Sequence, residues 1–192
     1  MQKIKLGKDV IVTDPCYDTE TWCQAKLTNV LPGNYVAECL LHDTGDWGVR
    51  VDKLLVVHED YMMPRSIRQH SRINGKPEFD WEVHPEEIGV DSGQAGIFDM
   101  KSYRVDGIDM QVPEKTYDGK IFNLPIEEKG DEWYNKMCKF TLSKEKWGSY
   151  ESGVVCRSGF GDGAYTLYVS KSNDGKIVAM MIDFQVVEVE NE

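Results

Sequence analysis

The chain has 192 residues, is 41% hydrophobic and 29% charged, and carries a net charge of −11. That composition supports a packed core and excludes a disordered chain, and no stretch approaches the roughly 20 apolar residues of a membrane helix. So acidic a chain disfavours binding to a phosphate backbone; its charge reads as an ordinary solvated surface or as an acidic mimic that occupies a basic partner.

The length suits one domain over 1–192, with irregular excursions near 58–80 and 104–131. Met1 to Leu6 runs straight into alternating apolar residues. That is a strand opening and not a signal peptide, so the expected location is the cytoplasm. Ile4, Leu6, Val10 and Val12 alternate around Gly7-Lys8-Asp9, which predicts a β-hairpin or a bent strand over 3–13. Asp14-Pro15 breaks it, because proline lacks a donor and restricts its predecessor. Asp18 or Thr19 could then cap a short helix through Leu27, with Trp22, Cys23 and Leu27 on its apolar face.

After a turn at Leu31-Pro32-Gly33-Asn34, Tyr35 to Leu41 alternates and faces a second run, Gly48 to Val57, across Asp43-Thr44-Gly45-Asp46. This pair predicts a hairpin. A short helix is expected near Tyr61 to Gln69. Residues 88–99 read as strand with three glycines, which bulges or close backbone packing would explain. Asp131 could cap a helix holding Trp133, Tyr134, Met137 and Cys138. Tyr165 to Ser170, Ser172-Asn173-Asp174-Gly175 and Lys176 to Val189 predict a long hairpin. Strands outnumber helices and come as hairpin-sized neighbours. The fold class is therefore α+β, β-dominated and mainly antiparallel, barrel-like or a sandwich, with a few short helices.

Five cysteines without a secretion signal or a CxxC pair argue against both a disulfide framework and a zinc cluster. Cys16 precedes a predicted helix start, which could lower its pKa and make it a nucleophile; the alternative is a buried thiol at a turn where Asp14 bonds backbone amides. Asp14, Asp91, Asp99, Asp162 and Asp183 all sit at strand ends or glycine-rich bends. Converging, they could hold a divalent metal or act as an acid/base pair, with Asp99 and Asp162 the favoured catalytic residues. Dispersed, each would tie off its own turn. No cofactor is evident beyond that metal. The four histidines lack HxxxH or HExxH spacing.

Gly159-Phe160-Gly161-Asp162-Gly163 opens a strand and so is no dinucleotide fingerprint. Such a bend can still form an anion-binding concavity, with Arg157 beside it to hold phosphate or carboxylate. Trp47 reads as a core plug or as a stacking plate. A ligand site on this reading would use Asp14, Trp47, Asp91, Ser92, Arg157, Phe160 and Gly161. Its ligand would have a flat ring and hydroxyls, as nucleotide derivatives do. The alternatives are a hydrolase using Asp99 and Asp162 or Cys16, and an acidic inhibitor that binds a protein partner.

Three segments in order carry a family resemblance: Asp14-Pro15-Cys16-Tyr17, Gly89-Val90-Asp91-Ser92-Gly93 with Phe98-Asp99, and Gly159 to Tyr165 leading to Asp183-Phe184. The chain resembles the bacterial and phage family known as domain of unknown function 4241. There the position before Gly-Asp-Gly is usually tryptophan; Phe160 keeps the aromatic plate and loses the indole donor. The resemblance implies a fold and no established activity. Its phage members suggest a viral origin, a place in the host cytoplasm and the sequestering of a host signalling nucleotide as a use.

Overall fold

The computed structural model describes residues 1–62 and 79–186. Two antiparallel sheets face each other. The first contains β1 (Gln2–Leu6), β4 (Gly33–Asp43), β5 (Val49–His58), β6 (Glu82–Val83), β7 (Ile88–Val90), β11 (Gly163–Lys171) and β12 (Ile177–Asp183). Its order is β1-β4-β5-β12-β11-β6, with β7 also pairing β11. The second contains β2 (Val10–Thr13), β3 (Ala25–Leu27), β8 (Gln94–Asp99), β9 (Trp147–Tyr150) and β10 (Gly153–Arg157), in the order β3-β2-β8-β10-β9. The fold is thus an α+β, β-dominated sandwich and not a closed barrel.

Period-two alternation explains why the sheets stack. Ile4, Leu6, Tyr35, Ala37, Val56, Met180 and Ile182 of the first sheet meet Val10, Val12, Ile97, Val154 and Cys156 of the second in one buried core. The opposite parity of the same strands faces outward. Val36, Leu55, Val57 and Met181 are covered by Phe79 and Trp81. Ile11, Phe98 and Val155 are covered by α1 (Asp131–Thr141) through Trp133, Met137 and Phe140. The segment between β8 and α1 forms no strand or helix and lies over this outer face through Tyr103 and Met110.

The predicted hairpins β4–β5 and β11–β12 form. Val187 to Val189 and all but the first two residues of the helix expected near Tyr61 to Gln69 lie outside the described residues. Three expectations need correction. Residues 3–13 are not a hairpin: β1 pairs with β4 and β2 pairs with β3 and β8, so the chain changes sheets at Gly7–Asp9. The Asp99 carboxylate holds this crossing by accepting from Gly7 N at 2.6 Å. The helix expected through Leu27 is a run of turns ending in β3. Asp18 ties off Glu20 N and Thr21 Oγ1, Ala25 and Leu27 alternate inward, and Trp22 is 92% exposed. Finally, α1 is capped from a distance. Asp106 accepts from Gly130 N at 2.7 Å and Trp133 N at 2.9 Å, while Asp131 bonds Glu127 N and Glu128 N before the helix.

Among the described residues, no helix is long and apolar enough to cross a membrane.

Candidate functional site

Asp14 follows β2 at the end of the second sheet and is fully buried. Its Oδ1 accepts from Cys16 N at 2.9 Å and Ser92 Oγ at 2.6 Å; its Oδ2 accepts from Asp91 N at 2.9 Å and Ser92 N at 2.7 Å. One carboxylate thus ties the early turn to the turn between β7 and β8. Tyr103 Oη donates to Tyr17 O, and Arg104 Nη1 donates to Pro15 O, which anchors the same turn from outside. The glycine-rich loop joins them. Ser158 N donates to Gly93 O at 3.1 Å, and Gly163–Tyr165 pairs with Ile88–Val90.

That loop is built for a sharp bend. Gly159 has φ +48° with its Cα against Phe184, and Gly161 has φ +121°, a backbone that side chains resist. Ser158 Oγ donates to Gly161 O, and Tyr165 Oη also donates to Gly161 O at 2.7 Å. Phe160 is thereby turned outward and is 55% exposed.

Between this loop, the start of β8 and α1 lies a pocket of about 450 Å³. Four residues singled out from sequence line it: Ser92, Arg157, Phe160 and Gly161. Gln94, Tyr134 and Thr141 form its polar wall, and Phe122 and Leu124 its apolar one. Thr141 Oγ1 donates to Gln94 Oε1 at 2.8 Å, and Gln94 Nε2 donates to Ser92 Oγ at 3.2 Å, so this wall is held by its own bonds. Burial raises the Tyr134 phenol and the Cys138 thiol above their ordinary values, and both stay protonated near neutral pH.

The remaining candidates are placed elsewhere. Asp91 is exposed at the Asp14 corner and offers that carboxylate its amide. Asp99 ends β8, about 16 Å along the strand from Gln94. Its two oxygens accept from Gly7 N and Lys101 N. Asp183 accepts from Gln185 N and lies 3.5 Å from the Lys53 ammonium. Asp162 is exposed in the loop. The aspartates therefore do not gather in one cleft, and among the described residues no three His, Cys, Asp or Glu side chains come together to hold a metal ion. Burial, and then the Asp14 carboxylate, pushes the Cys16 thiol up to about 12, the reverse of what a nucleophile needs. Trp47 is no core plug. It is 70% exposed on a 3-10 turn at the tip of the β4–β5 hairpin.

Arg50, one residue into β5, also lines the pocket, and sequence reasoning missed it. It follows a turn, whereas Arg157 precedes one, and the strand pairing that brings it to the pocket cannot be read from spacing alone. Lys146 lies beside that strand without lining the pocket. Its ammonium donates to Val49 O beside Arg50.

The profile of the family described as "Protein of unknown function (DUF4241)" matches residues 7–182. The chain belongs to this family. No curated protein and no solved structure matches it. The Asp14 turn, residues 89–93 of the second segment and the glycine-rich loop of the third meet at one end of the sandwich, while Phe98-Asp99 lies at the far end of β8. Asp14 bonds the second segment at Asp91 and Ser92, and Gly93 of that segment bonds the third at Ser158.

Proposed function

We propose that this protein is a small-molecule-binding module whose pocket takes a flat, hydroxyl-bearing ligand of the nucleoside or nucleotide kind. One observation carries the reading: Ser92 and, far from it in the chain, Arg157, Phe160 and Gly161 line one hollow at the end of the sandwich. A volume of about 450 Å³ suits a mononucleotide-sized ligand. Phe160 offers an exposed ring, and the oxygens of Ser92, Gln94 and Thr141, whose donors are spent on their own chain, keep lone pairs to accept from a sugar or base edge.

Capture fits this pocket better than turnover. No carboxylate or histidine of the described residues lines it. Its titratable phenol and thiol stay protonated near neutral pH, so no general base is at hand. Binding without conversion suits the sequestering of a signalling nucleotide, a use in keeping with the phage members of the family it resembles.

Isothermal titration against nucleosides, mononucleotides and cyclic nucleotides tests the reading. Saturable heat with one class, and recovery of that ligand unchanged by chromatography, is the expected outcome. Silence across the panel removes the proposal, and a hydrolysed ligand replaces capture with catalysis.

A further inference from the structure

Arg50 comes from the first sheet and Arg157 from the second, and both border the same pocket. Each guanidinium is held from two sides. Arg50 donates through Nε to Trp47 O at 3.0 Å and lies 5.6 Å from the centroid of the Phe160 ring. Arg157 donates through Nε to Thr141 O at 2.8 Å and lies 5.2 Å from the centroid of the Tyr117 ring. These contacts fix the planes of the two forks and use one donor of each. The Nη groups have no acceptor among the described residues, and neither arginine has a carboxylate within 4 Å there. Lys146 stands behind them with its ammonium on a backbone carbonyl.

Among the described residues these three cations have no counter-charge, which is unusual in a chain of net charge −11. They also press on one another. Burial first, and the charges of Arg157 and Arg50 next, hold the Lys146 ammonium below its ordinary value. Burial likewise lowers Arg157, with Arg50 adding to it. Gathering like charges is costly unless an anion relieves it.

We infer that Arg50 and Arg157, backed by Lys146, form a phosphate subsite at the mouth of this pocket. The inference rests on the pocket being a ligand site and adds the charged end of the ligand. Two oriented forks with free Nη donors match the oxygens of a phosphate or phosphate ester, which accept paired N–H bonds. Inorganic pyrophosphate and a terminal phosphate ester share this chemistry, and the experiment separates them.

Titrations with inorganic pyrophosphate, with a nucleoside and with its 5′-monophosphate provide the test. Pyrophosphate should bind saturably, and the monophosphate should bind at least about tenfold tighter than the nucleoside. R50Q and R157K should each weaken pyrophosphate about tenfold; R157K keeps the charge but loses the fork. Where R157K unfolds, R50Q, which removes a side chain whose Nε bond lies exposed at the hairpin tip, decides alone. Pyrophosphate affinity unchanged in R50Q, or no pyrophosphate binding at all, overturns the subsite. A nucleoside that binds as tightly as its monophosphate overturns the subsite and leaves the pocket. Pyrophosphate binding with no response to nucleosides keeps the subsite and removes the ring-binding half of the proposed function.

Discussion

The corner built on Asp14 and the rim built on Arg50 and Arg157 lie at the same end of the sandwich and treat charge in opposite ways. Asp14 is buried and spends both oxygens on four donors of its own chain. Among the described residues the arginines spend one donor each and leave their forks open. A saturated group of this kind fixes the backbone, whereas an open one fixes itself and waits for something else. The difference teaches that residue type is a poor guide to function here; what matters is how much of a group's bonding capacity the fold has consumed.

The sharpest way to break the comparison is Asp14→Ala. It strands the amides of Cys16, Asp91 and Ser92, each worth about 1–3 kcal/mol when buried and unmet, so urea unfolding should show a loss of roughly 4 kcal/mol or more. A loss under about 1 kcal/mol would mean that the corner is not the tie it looks to be. Gly96→Ala comes next. Its new methyl would sit 2.5 Å from Val154 O and 2.2 Å from the Phe98 ring, and the strand pair β8–β10 would have to part, at a cost of about 1–3 kcal/mol in the same assay.

Asp106→Ala should cost about 1 kcal/mol by removing the distant cap of α1. The Gly130 amide, joined by that of Trp133, holds the Asp106 carboxyl below its ordinary range. Its folded value being lowered, this contribution is complete above the unfolded value near 4 and fades as pH falls through the folded one. The gap between wild type and variant should therefore shrink in acid; a gap that widens there would contradict the capping role. Arg50→Ala should change stability by less than about 0.5 kcal/mol, since its bonds lie at an exposed hairpin tip. A clear loss would move Arg50 from the open class to the saturated one. Smallest of all, iodoacetamide at pH 7 should label Cys16 slowly, because its thiol is pushed up to about 12. Rapid labelling would restore it as a nucleophile.

Alternation and turn chemistry made the sheets legible. Tyr35 to Leu41, Gly48 to Val57 and the Asp174-Gly175 turn are local signals, and the hairpins they predict are local structures. Failures came where a distant partner decides. Ala25–Leu27 is too short to choose between helix and strand until β2 offers an edge. The cap of α1 lies in Asp106, a residue with no local reason to be chosen. The candidate site divided along the same line. Ser92, Phe160 and Gly161 sit in bends whose glycines mark them, Arg157 ends the strand before one, and all four line the pocket. Asp99 looked the same in sequence, yet its carboxylate serves the crossing at Gly7. Arg50 reaches the pocket only because β5 belongs to the sheet opposite Arg157, which no spacing reveals.

The change of sheets at Gly7–Asp9 carries a kinetic consequence. β2 lies inside its sheet, between β3 and β8, and its pairing with β8 spans more than eighty residues of chain. β1 and β2 thus commit one short stretch to two layers at once. Neither layer is complete until strands from much later in the chain arrive, β8 beside β2 and β12 beside β5. Such long loop closures predict folding in milliseconds to seconds, with the apolar strand Val10–Thr13 paired to β3 on one side and open on the other until β8 arrives.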